Sequence, residues 1–246
     1  MGRKYKNSPI IEAVCEFRFQ PGAAWEKSFP DRIHEELHET FPIKRPITAF
    51  QSSLTIDSRG SQQHLQQTNT LQALREDETA SVMIDVDRIA VIHAKPYPAW
   101  EVFQPLIKQG LAAYRNVATP KGLHRVGLRY INQIEMPGEQ VDLSEYLNFF
   151  PVLNWRLTTA YGPFAMMMQI PFDDDRDILN LRLSSGAVNS PDAMAVILDF
   201  DYFSGQSGAM NFEQVFDWLE EAHSRVESAF EGCIKDSLRE IFEEVT

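Results

Sequence analysis

Hydrolytic chemistry could be read into His34-Glu35-Glu36-Leu37-His38, which matches the pattern His-Glu-x-x-His. On a helix, a spacing of four residues puts both imidazoles on one face, where they can share a zinc ion with Glu35 as general base. The same residues equally suit the solvated side of an amphipathic helix, beside Ile33 and Leu37. Two features favour that plainer reading. Phe41 and Lys44 stand where the metzincin extension needs Gly and His, and a third ligand would have to come from the turn at Glu76 to Glu78. Asp173, Asp175 and Asp177 alternate like an EF-hand loop, but Ile178 replaces its Gly and Ser184 its final Glu, so a polar hairpin turn is expected. Ser207 lies in Gly205-Gln206-Ser207-Gly208, where Ala209 breaks the nucleophile-elbow pattern. The expectation is no catalytic residue set, no metal and no cofactor, with a zinc hydrolase using His34, Glu35 and His38 as the alternative.

Recognition chemistry is better supported. From Ile10 to Gln20, Ala13, Cys15, Phe17 and Phe19 alternate with Glu12, Val14, Glu16 and Arg18. From Leu123 to Pro137, Val126, Leu128 and Tyr130 alternate with Arg125, Gly127 and Arg129. That period of two marks half-buried strands. Laid side by side, they bring Glu12 and Glu16 within reach of Arg125 and Arg129, with Arg18 and Asn132 nearby. These six residues are the candidate binding site. Asp199 and Asp201, alternating with Leu198, Phe200 and Tyr202, are expected on the same side. A cross-strand charge ladder that fixes register would contribute about 0.2–1 kcal/mol per pair. The alternative is a recognition surface for an extended partner.

The elements that must position these residues follow from spacing and punctuation. Trp25, Phe29, Ile33, Leu37 and Phe41 recur every four residues, which predicts a helix over 25–41 ended by Pro42 and Pro46. Residues 47–93 read as four short antiparallel strands. A second helix is expected from Tyr97-Pro98 to about Asn116, kinked at Pro105. After Thr119-Pro120-Lys121-Gly122 the order repeats: a strand, a short helix over 142–150, strands near 153–160, 164–172, 178–186 and 193–203, and one long helix over 212–245. Asn211 is placed to cap that last helix, with Gln214 as capping-box partner. The prediction is therefore an α+β protein, with a flexible arm (1–8) and two pseudo-repeated halves (9–118 and 119–246) forming one unit. Each half runs strand, helix, four strands, helix. Duplicated, this order resembles the saddle architecture of the TATA-binding-protein and related folds, a curved antiparallel sheet with helices on one face.

Composition sets the outer limits. The chain of 246 residues has 43% hydrophobic residues, enough for a real core, and a formal charge of −12. That charge disfavours nucleic acid, whose affinity comes largely from Lys and Arg on phosphates. The nucleic-acid-binding saddle, with Arg18, Arg125 and Arg129 on phosphates, is accordingly only an alternative. No apolar run reaches the roughly 18 residues needed to span a bilayer. The two cysteines, Cys15 and Cys233, are read as buried thiols, and the expected location is the cytoplasm. The final segment, 211–246, carries ten acidic and three basic residues and is read as a solvated helix face.

Three motifs carry a family resemblance. Pro9-Ile10-Ile11-Glu12-Ala13-Val14-Cys15-Glu16-Phe17-Arg18-Phe19, Tyr97-Pro98-Ala99-Trp100 and Arg125-Val126-Gly127-Leu128-Arg129-Tyr130-Ile131-Asn132 are similar to those of a sporadically distributed family of uncharacterised bacterial proteins of about this length. The resemblance implies no catalytic mechanism. Its patchy occurrence implies a role in antiviral defence or toxin neutralisation. The function expected on these grounds is a non-enzymatic protein-interaction module. Its partner would be another protein, encoded by a neighbouring gene, with homo-oligomerisation left open.

Overall fold

Alternation makes Ile10–Gln20 a strand (β1), with Ala13, Cys15, Phe17 and Phe19 buried on one face. The computed structural model of the chain describes residues 3–20, 22, 24–57, 60–138, 141–152, 162–173, 175–188, 192–208 and 210–245, with backbone alone for 48–57 and 60–69. In it β1 is the middle strand of a nine-stranded, curved and unclosed antiparallel sheet. The first part of the chain continues with α1 (Phe29–Leu37), β2 (Ile43–Asp57), β3 (Gly60–Leu74), β4 (Ala80–Asp85), β5 (Arg88–Ala94) and α2 (Trp100–Ala118). Then follow β6 (Gly122–Pro137), β7 (Ala165–Phe172), β8 (Asp177–Ser185), β9 (Ala193–Ser204), α3 (Val215–Cys233) and α4 (Asp236–Phe242). The strand order is β2-β3-β4-β5-β1-β6-β9-β8-β7. The α+β class with an antiparallel sheet is as expected. The strand expected near 153–160 lies outside the described residues.

One sheet face carries the helices. Helix α1 packs on β3 and β4, α2 on α1 and β5, and α3 on β6 and β9. The core lies between them, with Phe17, Phe41, Phe103, Tyr114, Phe200 and Tyr202 among its largest buried side chains. Gly110 lets α2 come close: a Cβ there would stand 2.7 Å from Val91 Cγ2 on β5. No described helix is long and apolar enough to cross a membrane.

Four helical expectations need correction. The first helix is shorter than 25–41, beginning at Phe29 with Pro30 in its first turn. Trp25 precedes it and packs edge-on against Phe29, 5.3 Å between ring centroids. The second begins at Trp100, after Pro98, and runs through Pro105 to Ala118. The helix expected over 142–150 is a single 3-10 turn, Leu143–Glu145. The long helix expected over 212–245 is two helices, because Ile234 and Lys235 are extended. The last two corrections share a cause. The 143–148 segment docks on the break: Asn148 N donates to Cys233 O (2.8 Å), Lys235 N to Tyr146 O (2.9 Å), and Asn148 Nδ2 to Gly232 O (3.0 Å). These contacts replace helical hydrogen bonds on both sides. Asn211 and Gln214 make the two reciprocal hydrogen bonds expected of a capping box, Asn211 Oδ1 accepting from Gln214 N (3.0 Å) and Gln214 Oε1 from Asn211 N (3.2 Å), but they do so in the turn before α3, which begins at Val215 with Gln214 in the N-cap position.

Within the arm, Lys4, Lys6 and Asn7 make backbone hydrogen bonds to the end of the chain. Lys6 N donates to Glu243 O and Asn7 N to Phe242 O, both 2.9 Å, and Val245 N donates to Lys4 O at 2.8 Å. The segment therefore lies along the chain just after α4.

Candidate functional site

A charged ladder forms on the sheet face opposite the helices, and it brings Glu16 to Arg125. Strands β1 and β6 are neighbours, but antiparallel, so Cys15 faces Leu128 and Arg18 faces Arg125. Glu16 lies opposite Gly127 and binds Arg125 (3.0 Å), Arg18 (2.7 Å) and, more distantly, Arg88 (3.7 Å). Gly127 leaves room for this: a Cβ there would stand 2.8 Å from Arg125 Nη1. Arg129 pairs bidentately with Asp199 at 2.8 and 2.7 Å, which raises its pKa further. Asp199 and Asp201 thus lie on the ladder face, as expected. Glu12, opposite Ile131, adds its charge to the field at Arg129 without a direct pair.

These contacts join into one row across the sheet. Thr70 on β3 donates to Asp85 on β4 (3.2 Å), which also accepts from Arg88 on β5 (3.0 Å). Arg88 meets Glu16 on β1, and Glu16 meets Arg125 on β6. Arg125 reaches Asp201 on β9 (3.4 Å), and Asn180 on β8 donates to the same carboxylate (3.4 Å). Gln169 on β7 completes the row by donating to Asn180 (2.9 Å). Eight of the nine strands are linked, and each arginine in the row already has a carboxylate. Such an arrangement fixes register and leaves little free positive charge for an external anion.

Asn132 is not on this face. It has the parity of Val126, Leu128 and Tyr130, is 2% exposed, and donates from Nδ2 to the Leu198 carbonyl (3.0 Å). It lines a cavity of about 560 Å³ on the helix side. Five segments build most of that cavity: the arm, the Tyr97–Glu101 stretch leading into α2, the core faces of β6 and of β9, and one side of α3. All three motifs behind the family resemblance reach it, through Pro9 and Ile10, through Tyr97 to Trp100, and through Tyr130 and Asn132. Sequence reasoning missed it, although strand parity alone separates Asn132 from Arg125 and Arg129.

A hydrogen-bonded chain runs along the cavity. Tyr97 and Tyr130 hydroxyls are 3.1 Å apart, Tyr130 OH is 3.2 Å from His223 Nδ1, and His223 Nε2 is 3.4 Å from Glu227. With Nδ1 accepting from Tyr130 and Nε2 donating to Glu227, every link has one donor and one acceptor. The His223 ring stacks on Trp100 (centroids 4.5 Å, planes 14° apart), and Trp100 Nε1 donates to Glu220 (3.0 Å). Burial is the main reason both tyrosine pKa values rise, with the Glu227 charge adding to it. Both phenols therefore stay protonated.

The remaining candidates have structural partners. His34 is buried and its Nε2 donates to the Phe41 carbonyl (3.1 Å), while the His38 ring stands 6.1 Å away, nearly perpendicular. Among the described residues no group of three or more His, Cys, Asp or Glu side chains is placed to hold a metal ion. Asp173 and Asp177 flank the β7–β8 turn. Asp177 is fully buried, accepting from Tyr202 OH and Trp218 Nε1 (both 3.0 Å) and pairing with Arg176. Ser207 Oγ lies 2.6 Å from His124 Nδ1 on the exposed surface. No protein-family model matches the chain, and no curated protein matches it.

Proposed function

We propose that the chain is a non-enzymatic interaction module, and that its occupant seats in the cavity beneath the arm rather than on the charged ladder. One observation carries this reading: five segments far apart in sequence bring aromatic rings and a few polar groups to one space of about 560 Å³. That is the size and character of a small-molecule site. Holding is favoured over turnover because the two phenols on the cavity wall and both thiols of the chain are kept protonated. Burial raises the Tyr97 and Tyr130 phenols and the Cys15 thiol, and pushes the Cys233 thiol up to about 11. Pairing of Arg18, Arg125 and Arg129 with carboxylates weighs against the nucleic-acid saddle.

The family resemblance supplies the setting, an antiviral-defence or toxin-neutralising system in which a second protein is the larger partner. We also assign the architecture to duplication of halves 9–118 and 119–246. Supporting this, β5-β4-β3-β2 run outward from β1 while β9-β8-β7 run outward from β6. The test is native mass spectrometry of the full chain isolated under mild conditions, beside Ser224→Trp, which places a bulky ring at the cavity wall. A stoichiometric adduct lost in the variant is expected. No adduct, or one indifferent to Ser224→Trp, overturns the assignment.

A further inference from the structure

Four carboxylates line the cavity, Glu101, Glu220, Glu227 and Glu231, against two cationic side chains, Arg3 and Lys4. Both cations are engaged, Arg3 with Glu244 (2.8 Å) and Lys4 with Glu101 (3.4 Å). Glu231 accepts from Tyr5 OH (2.6 Å) and Arg239 (2.9 Å), and Glu220 from Trp100 and Gln104. Glu227 is different. Among the described residues its one polar partner is His223 Nε2, at a long 3.4 Å to Oε1, and its side chain is 38% exposed. Its negative charge is felt at both Tyr97 and Tyr130 inside the cavity. Deeper in, Asn132 uses its Nδ2 on the Leu198 carbonyl, which leaves its carboxamide oxygen as an acceptor.

We infer that the cavity takes a small organic amine in its ammonium form, with an apolar body among the aromatic rings and Glu227 as counter-charge. The inference rests on the cavity being the binding site and adds the ligand's chemical class. An ammonium group is drawn to the faces of Tyr97, Tyr130 and Phe230 by their quadrupoles. It also finds two acceptors of the right kind, the Glu227 carboxylate and the Asn132 carboxamide, and hydrogen bonds to a charged partner are the stronger ones. An anionic ligand meets an excess of carboxylates and no unpaired cation among the described lining residues.

Isothermal titration of the full chain with three probes of one shape tests this: 2-phenylethylamine, 2-phenylethanol and 3-phenylpropanoate. The amine is expected to bind about tenfold more tightly than the alcohol, and the carboxylate more weakly than either. Glu227→Gln, at a half-exposed helix position, removes the preference and brings the amine to the alcohol's level. Ser224→Trp removes binding of all three. Equal or tighter binding of alcohol or carboxylate, or a preference that survives Glu227→Gln, overturns the amine assignment. If that binding is still lost in Ser224→Trp, the cavity itself stands as the site. No binding by any probe overturns both.

Discussion

Glu16 has 17% of its side chain exposed and three arginines around it, Arg18, Arg88 and Arg125. Arg125 is the one that also serves Asp201, itself only 18% exposed. Replacing Arg125 with Ala takes one partner from each of two partly buried carboxylates, leaving Glu16 with Arg18 and Arg88 and Asp201 with Asn180, and a loss of about 1–3 kcal/mol in urea unfolding is expected. Arg18→Ala removes a side chain that is half exposed, and should cost less than about 1 kcal/mol. Equal losses would mean that the row has no preferred members. Alternation made this face legible in the sequence: Glu12, Glu16, Arg125 and Arg129 do share one side. The individual pairs were not legible, because alternation assigns a face while the register decides which neighbours meet, delivering Glu16 to Arg125 and Arg129 to Asp199. Asn132 was misplaced for want of counting parity from Tyr130.

At the scale of elements, helices α3 and α4 show where periodicity stops informing. Ile234, Leu238 and Phe242 stay buried and in phase with α3, so the apolar spacing runs through the break unmarked. The break is set by acceptors and donors on residues 143–148, which are distant in sequence. The arm's placement is equally tertiary, and it carries a pH dependence. Hydrogen bonds from Lys6 and Asn7 hold the Glu243 carboxyl below the usual glutamate range. A carboxyl depressed in the folded state contributes stability that is complete above its ordinary value and lost as pH falls through the depressed one. Acidification from neutrality to below the glutamate range should therefore lower the protection of the Lys6 and Asn7 amides, relative to their intrinsic exchange rate at each pH, before that of the β1 amides. Exchange in the arm that keeps step with β1 would contradict this.

For the whole molecule, the α+β class and the antiparallel sheet were legible from strand alternation and helix spacing. The cavity was not, because it exists only where the arm, the approach to α2, the strands β6 and β9, and helix α3 meet. The seam between β1 and β6 runs through the middle of the sheet, and the core is continuous across it. Fragments 9–118 and 119–246 should each lack a cooperative urea transition, and an independent transition in either would show two folding units. The central seam also has a consequence for synthesis. Cys15 must wait for Leu128 before the outer edge of β1 is covered. At about 5–20 residues per second the nascent chain carries that apolar edge bare for roughly 5–20 s. An uncovered strand edge is a template for other chains, so the time when this protein is most exposed to misassembly comes before its second half has left the ribosome.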